Sequence, residues 1–304
     1  MQGAPCAGGV VNERDEPIAK AMGLPVWTAP RDPQILKGGI TNVNIKLWDG
    51  DEAFVVRLGG DIETHMVKRF NEQACHRASE AVGLSPRIVY ADESVLAMAY
   101  VDGRTLDAQS IAQPAMLARI AVLLRRLHQD ATPKLRGPVV MFWVFHVLRD
   151  YAARLYEEGP AFRDDLAYLM PKAEHLERTI GPVDIALTHN DLLPANLIDT
   201  AERLWLIDWD YGGFNTPLFD LASLASNCEL SNALSIWLLE AYYETTVSAK
   251  LWRRFNAMIC ASLLRETMWS MVSEISSRID FDYRAYTAEY RARFEAAYAD
   301  FLRL

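Results

Sequence analysis

The hydrophobic pattern of this chain changes once, near residue 102, from short strand-like runs to long helical ones. Before that point, residues 40–48 and 53–58 flank the turn Asp49-Gly50-Asp51, which predicts a β-hairpin. Residues 65–82 repeat apolar side chains at helical spacing and stop at Gly83, with Pro86 beyond. Two further strands are predicted at 87–91 and 95–101.

After residue 102 the apolar spacing is that of helices. Six are predicted, at 116–128, 142–156, 166–180, 231–245, 251–276 and 283–301. The exception is 185–209, where apolar doublets and Pro194 indicate a loop with a small hairpin, 197–198 against 205–207. The sequence therefore predicts an α+β fold with a mobile segment 1–18, a β-rich domain 19–101 and a larger, mainly helical domain 102–304.

Composition excludes several classes of function. A formal charge of −9 without basic clusters disfavours nucleic acid, whose phosphates bind clustered Lys and Arg. The N-terminus has no basic and apolar signal-like region, and no apolar run reaches the roughly 20 residues of a membrane span. Four cysteines show neither metal-site nor redox spacing. We expect a cytoplasmic protein that does not insert into membranes.

The segment 188–209 carries the most specific chemical pattern. His189, Asp191 and Asn196 form H-x-D-x-x-x-x-N, and Asp208 follows twelve residues after the asparagine, behind an apolar doublet. Phosphoryl transfer needs a carboxylate at the attacking hydroxyl and oxygen ligands that hold Mg²⁺ against the ATP phosphates. Asp191 suits the first task, and Asn196 with Asp208 suits the second.

Each of these residues taken alone is more often a turn former or a strand-end cap. Their joint spacing and apolar flanks make that interpretation the weaker one. His189 is assigned a structural role, because a histidine at this place holds the loop by hydrogen bonds rather than transferring protons.

The segment resembles the catalytic and metal-binding segments of the aminoglycoside phosphotransferase and choline kinase superfamily, distant relatives of protein kinases. The run Ile207-Asp208-Trp209-Asp210-Tyr211, followed by Asn215 and Phe219-Asp220, is similar to the choline/ethanolamine kinase pattern. This resemblance implies a two-lobed protein-kinase-like fold, ATP and Mg²⁺ as cofactors, and Asp220 as a brace of the catalytic loop.

The first domain agrees with the resemblance. Its glycine loop, residues 37–42, resembles the family's phosphate-binding turn. Arg57 lies in a segment that resembles the strand whose basic residue binds the ATP phosphates. Glu72, in an R-x-x-E pattern, is the expected partner of Arg57, and adenine is expected to bind backbone between the lobes. The nucleotide-binding candidates are Gly38, Gly39, Thr41, Asn42, Arg57, Met98 and Tyr100.

The acceptor is inferred from the C-terminal third. Trp269 and Tyr286 match aromatic positions of the family's choline cage, where ring faces attract a quaternary ammonium. Glu266 replaces a tryptophan usual in the family, and it suits an –NH₃⁺ at least as well as a trimethylammonium. It can equally pair with Arg265 or Arg278 and have no ligand role. The resemblance implies a small cationic amino alcohol, with choline first and ethanolamine second.

Two alternatives stay open at this stage. An aminoglycoside, thiamine or amino-sugar phosphotransferase would share every residue of the catalytic motif. A nucleotide-binding pseudokinase would belong to another class, although such proteins usually lose one of the residues at 191, 196 or 208. The sequence does not fix the oligomeric state, and a homodimer is one option.

Overall fold

The computed structural model describes residues 15–36 and 42–304. These residues form two compact units. One contains the described residues up to 60 together with 87–100, and the other contains 61–86 and 101–304. Residues 61–86 were predicted from sequence to lie in the first domain, and here they pack with the helical unit. The boundary at 101/102 as a division into functional domains stays a prediction.

The smaller unit is one antiparallel five-stranded sheet with one helix. Its strands have the order β1-β2-β3-β5-β4, so β1 and β4 form the edges. The predicted hairpin is confirmed: Asp49 pairs with Glu52, and Gly50 has the positive φ of 59° that favours glycine. The elements are α1 (Asp15–Met22), β1 (Pro30–Ile35), β2 (Val43–Asp49), β3 (Glu52–Leu58), β4 (Ile88–Ala91) and β5 (Val95–Ala99).

Helix α1 includes the last four residues of the segment predicted to be mobile, whereas residues 1–14 lie outside the described residues. Its apolar side chains pack on one face of the sheet. The core of this unit consists of Ala21, Leu24, Ile45, Leu47, Phe54, Val56, Leu58, Val95 and Ala97. Alternation along β2 and β3 places these strand residues on the same buried face.

The larger unit is mainly helical, as predicted. Its helices are α2 (Arg69–Glu80), α3 (Ala108–Ile111), α4 (Pro114–Arg126), α5 (Val144–Glu158), α6 (Arg163–Ile180), α7 (Pro217–Asn227), α8 (Asn232–Tyr243), α9 (Ala249–Ser276) and α10 (Tyr283–Phe301). Helix α9 runs through the middle of this unit and is buried from Cys260 to Ser273. The part of the chain that the structure describes contains no helix with both the length and the apolar character to cross a bilayer.

Short strands form the insertion between α6 and α7. They are β7 (Ala186–Thr188), β8 (Leu197–Asp199), β9 (Leu204–Leu206) and β10 (Gly213–Asn215), with β6 (Arg104–Thr105) beside β8. The predicted β8–β9 hairpin is confirmed, with Leu197 opposite Leu206. The pairing of β7 with β10 was not predicted. Together these two small sheets hold both ends of the segment that carries the phosphotransfer motif.

Gly213 is a position where the fold tolerates no side chain. A Cβ there would lie 2.6 Å from the carbonyl oxygen of Val140, which also accepts the backbone hydrogen bond of Phe214 at 2.9 Å. We expect Gly213→Ala to lower the free energy of unfolding by about 1–3 kcal/mol, because the backbone must shift. Chemical denaturation followed by tryptophan fluorescence measures the change.

Gly60→Ala is the matched control, since an added Cβ meets no described atom within 4 Å there. A loss of stability equal in the two variants would contradict the steric explanation.

Candidate active site

The predicted catalytic loop follows β7 and is held by one buried carboxylate. Asp220, on α7, accepts hydrogen bonds from the backbone N–H of His189 and of Asn190, each at 2.8 Å. Its oxygen also lies 3.0 Å from Nε2 of His128. Asn190 has a positive φ of 65°, so the chain turns sharply just before Asp191. These contacts fix the direction in which the loop leaves the strand.

Asn196 and Asp208 lie at the same end of the β8–β9 hairpin. The backbone N–H of Ile207 donates to the carbonyl of Asn196 at 3.1 Å. The amide nitrogen of Asn196 donates in turn to the carbonyl oxygen of Asp191 at 2.9 Å. Asp208 has a φ of 68°, a left-handed conformation that Asp tolerates better than most residues. The hairpin thus brings together the three positions that the motif singles out.

Asp191 is surrounded by charge. Its side chain is 17% exposed, and burial raises the pKa of its carboxyl to about 7. The negative charges of Glu266, Asp208 and Asp210 act in the same direction, whereas the guanidinium of Arg265 opposes them. A carboxyl with a pKa near neutrality is suited to accept a proton in a reaction. A bound divalent cation would lower this pKa, because it favours the carboxylate.

The donor atoms fit a magnesium ion that takes most of its ligands from elsewhere. Because the amide nitrogen of Asn196 is used in the contact with Asp191, its amide oxygen is the atom suited to coordinate a cation. Mg²⁺ binds through one or two protein oxygens together with waters and substrate phosphates. In residues 15–36 and 42–304, no group of three His, Cys, Asp or Glu side chains could hold a metal ion. Asn196 and Asp208 remain the predicted ligands.

Sequence reasoning missed a buried ion pair that links α2 to this segment. Arg69 donates to Oδ1 of Asp210 at 2.7 Å and also contacts Glu72, three residues later on the same helix. All three side chains are at most 8% exposed. Nearby, Asn71 donates to the carbonyl of Gly212 at 2.6 Å. The R-x-x-E pattern was noted in the sequence, but nothing local indicated that Arg69 would reach Asp210.

The predicted acceptor residues lie together between α9 and α10. The ring centroids of Trp269 and Tyr286 are 5.9 Å apart, and the Tyr286 hydroxyl donates to Oε2 of Glu266 at 3.1 Å. The Nε1 atom of Trp269 donates a hydrogen bond to the hydroxyl of Tyr211 at 3.0 Å. The other oxygen of Glu266 is hydrogen-bonded to Arg265, one of the two pairings considered from sequence. Both oxygens of Glu266 therefore already have partners.

Arg265 was not a candidate from sequence, and it lies at the centre of this group. Its second terminal nitrogen is 3.5 Å from Oδ1 of Asp191. The guanidinium carbon stands 4.5 Å from the centroid of the Tyr211 ring. A charged residue in the middle of a buried helix is rare without a partner, and that rarity is the one signal the sequence contained.

His189 and the residues of the smaller unit complete the predicted set. The Nε2 atom of His189 lies 2.9 Å from the carbonyl oxygen of Ile207, and its ring packs on Trp209. Gly38, Gly39 and Thr41 lie outside the described residues, whereas Asn42 is described. In the sheet, Arg57 is buried on β3 and Met98 is buried on β5, with Tyr100 just after it.

The hydrogen bonds of β5 narrow how adenine could bind there. The N–H groups of Ala99 and Tyr100 donate to the carbonyls of Arg87 and Ala53. Because these two N–H groups are already used, a purine bound there would have to donate a hydrogen bond to the backbone carbonyl of Ala99 or Tyr100. The nucleotide-binding roles of these residues stay predictions.

Solved structures that are similar to this one include small-molecule kinases. A choline/ethanolamine kinase family protein from Mesorhizobium loti is 26% identical, with a TM-score of 0.77 over 93% of this chain and 94% of that one. A structure of LicA in complex with AMP is 24% identical, with a TM-score of 0.74 over 94% of this chain and 96% of that one. The predicted fold class is confirmed: the chain has the kinase-like fold of small-molecule phosphotransferases.

Sequence comparison defines the family. LicA from Haemophilus influenzae is 28% identical over 221 residues, which are 69% of this chain and 62% of that protein. Ethanolamine kinase 2 from Mus musculus is 26% identical over 322 residues, 93% of this chain and 81% of that protein. The family model for choline/ethanolamine kinase matches residues 34–234, and the chain belongs to that family. The resemblance inferred from the motifs is thus confirmed.

His65 packs against Trp269, and its burial is expected to make the free energy of unfolding depend on pH. Its ring nitrogens lie 3.1 Å from the Tyr151 hydroxyl and 3.0 Å from the Ser273 hydroxyl, and its ring packs against Trp269. Burial lowers the pKa of His65 to about 3, and Arg265 and Arg154 add to the effect. The unfolded chain takes up this proton near pH 6.5, before the folded protein does.

Stability contributed by neutral His65 is therefore complete above pH 6.5 and falls as the pH drops from 6.5 toward 3. We expect His65→Gln to flatten the pH profile, so that wild type loses about 2 kcal/mol more than the variant between pH 7.5 and 5. Denaturant unfolding at both pH values measures this difference. His146→Gln, at an exposed position, is the control and should keep the wild-type profile. Parallel profiles for wild type and His65→Gln would contradict the assignment.

Proposed function

We propose that this protein transfers the γ-phosphoryl group of ATP to the hydroxyl of choline with the help of Mg²⁺. The observation that carries the proposal is the convergence of Asp191, Asn196 and Asp208 at one end of the β8–β9 hairpin, joined by hydrogen bonds through Ile207 and Asn196. Family membership and the AMP complex of LicA support an adenine nucleotide as the phosphoryl donor.

Each residue has a role that follows from its chemistry. Asp191 orients the acceptor hydroxyl and accepts its proton, and Asn196 with Asp208 would hold the metal. Mg²⁺ offsets the negative charge of the phosphate oxygens when it is bound. Asp220 keeps the loop backbone fixed, so that the hydroxyl meets the phosphate in line. Arg69, through Asp210, ties α2 to the segment that follows Asp208.

The side chains proposed to bind the acceptor favour a cation held by ring faces. Glu266 already accepts hydrogen bonds at both oxygens, from Arg265 and from Tyr286. The rings of Trp269 and Tyr286, with Phe281 at 5.7 Å from Tyr286, supply aromatic surface. Cation–π attraction suits a trimethylammonium, which has no N–H to donate. We therefore place choline before ethanolamine.

The remaining assignments are part of the same proposal. Arg57 and Glu72 are proposed to act together on the ATP phosphates, and Gly38, Gly39, Thr41 and Asn42 are proposed to bind the nucleotide as well. We propose a cytoplasmic location and leave the homodimer as an option. None of these assignments is needed for the central claim about Asp191, Asn196 and Asp208.

Replacing Asp191 tests the proposed base. Asp191→Asn keeps the size of the side chain but removes its ability to take up a proton, so turnover should fall by several orders of magnitude. Affinity for Mg-ATP should stay within about twofold, because the metal ligands are unchanged. A coupled assay of ADP release and calorimetric titration with a non-hydrolysable ATP analogue measure the two quantities.

Asp184→Asn is the matched control, because Asp184 is an exposed carboxylate just upstream of the same segment. It should retain wild-type turnover. Near-wild-type activity of Asp191→Asn would refute the base assignment.

A panel of acceptors tests the proposed substrate. Choline, ethanolamine, thiamine, kanamycin and homoserine are compared with Mg²⁺ and ATP. We expect kcat/KM for choline to exceed that for ethanolamine by about tenfold, or about 1.4 kcal/mol, which lies within the range of a cation–π contact. Preference for kanamycin or thiamine would instead support the antibiotic or vitamin phosphotransferase. No ADP release with any alcohol would support the pseudokinase.

A further inference from the structure

Arg265 is a buried cation placed between two carboxylates of the candidate site. Its side chain is 4% exposed. One terminal nitrogen is hydrogen-bonded to Glu266, whereas the other lies 3.5 Å from Oδ1 of Asp191, longer than a hydrogen bond. The guanidinium carbon lies 4.5 Å from the centroid of the Tyr211 ring and 5.7 Å from that of Phe142. These contacts and the bond to Glu266 restrict the movement of the group.

Two of its three nitrogens make no hydrogen bond within the part of the chain that the structure describes. Within residues 15–36 and 42–304, Nε and the terminal nitrogen nearer Asp191 are buried and make no hydrogen bond. A guanidinium carries five N–H donors, and leaving buried donors unsatisfied is costly. Because the group is packed against aromatic rings and one of its unused nitrogens lies 3.5 Å from Asp191, it is suited to bind an anionic oxygen group next to the proposed base.

The catalytic loop itself contains no cation. Residues 189–196 read His-Asn-Asp-Leu-Leu-Pro-Ala-Asn, without Lys or Arg. In phosphoryl transfer, negative charge is spread over the three equatorial oxygens of the migrating group, close to the carboxylate that holds the hydroxyl. Arg265 supplies positive charge at that place from helix α9, far along the chain from the loop.

We propose that Arg265 is a catalytic residue that donates hydrogen bonds to the phosphoryl group during its transfer, an inference that rests on the proposed function. In the step, the acceptor oxygen forms a bond to the γ-phosphorus while the bond from that phosphorus to the β–γ bridging oxygen breaks. The bridging oxygen keeps the electron pair and leaves as ADP, and the hydroxyl proton passes to Asp191. Arg265 contacts the non-bridging oxygens throughout.

The local charge indicates that the anion comes from the nucleotide rather than from the acceptor. When Asp191 is ionised, Asp191, Glu266 and Arg265 together carry one net negative charge, and the charges of Asp208 and Asp210 add to it. A cationic alcohol offsets that charge, whereas an acceptor with its own carboxylate would add a further negative charge beside Asp191. An acid-bearing acceptor is therefore the disfavoured source, and the experiment distinguishes the two.

The test separates binding of the transferred group from binding of ADP and of the acceptor. Aluminium fluoride with Mg-ADP and choline imitates the phosphoryl group in transit. Calorimetric titration of the wild-type protein should show that aluminium fluoride lowers the Kd for Mg-ADP. In Arg265→Gln this tightening should fall by about tenfold or more, the loss expected for a charge-assisted contact, with affinity for Mg-ADP alone within about twofold. In turnover, kcat should fall by about 10²–10³-fold, with KM for choline changed less than about threefold.

Two further variants keep the outcome interpretable. Arg253→Gln, on the same helix with its guanidinium over Phe301, is the matched control and should behave as wild type. If Arg265→Gln alone does not fold, the double variant Arg265→Gln with Glu266→Gln avoids a lone buried carboxylate. It should show the same loss of fluoride-dependent tightening of ADP, measured without choline.

The proposal is overturned if the fluoride-dependent tightening survives in the folded variant, because Arg265 is then a packing residue. It is also overturned if KM for the acceptor rises while kcat is unchanged, because Arg265 then binds the acceptor. Failure of the proposed function would look different, since wild type itself would phosphorylate no amino alcohol. Fluoride titration with Mg-ADP alone would still decide the role of Arg265 in that event.

Discussion

The buried carboxylate of Asp220 is the interaction on which the candidate site depends. A loop that leaves a short strand through a left-handed residue has backbone N–H groups that no strand partner satisfies. Asp220 accepts two of them, at His189 and Asn190, and is itself fully buried. An ionised acceptor strengthens such hydrogen bonds and makes them directional. The position of Asp191 thus follows from a residue about thirty positions later in the chain, on a helix that belongs to the core.

The helices around the loop are themselves fixed by packing in the core. Helix α7 carries Asp220, and it is buried on nearly every side by its neighbours, including α9. Helix α9 in turn carries Arg265, Glu266 and Trp269 through the centre of the unit. The side chains that position the loop and surround Asp191 therefore lie on two helices, α7 and α9, whose positions are set by core packing.

Much of this could be predicted from sequence, and the exceptions have physical reasons. Helices α6, α9 and α10 are long, at 18, 28 and 19 residues, and their predicted bounds lie within three residues of the observed ones. Strand β1 was missed because it contains two prolines and charged residues, as an edge strand tolerates but a pattern search does not expect. Helix α7 was missed because it is only 11 residues long and directly follows the irregular segment 185–209 and strand β10, although Pro217 at its first turn is a start signal.

For the site, prediction succeeded where the residues are close in sequence. Asp191, Asn196 and Asp208 belong to one loop and one hairpin, so their spacing alone brings them together. Arg69 with Asp210 and Arg265 with Asp191 are contacts between distant segments. A local sequence pattern cannot indicate such pairs, because they form only when distant segments pack together in the folded structure.

The interleaving of the two units along the chain has a consequence for biosynthesis. Residues 61–86 contribute Cys75, Ala78 and Leu84 to the helical core, yet the ribosome makes them before every other helix of that core. The apolar face of α2 stays exposed at least until residues 127–134, which it contacts, have been made. A polypeptide made in this order offers chaperones a defined early client segment, and a fragment starting after residue 100 would lack part of its own interior.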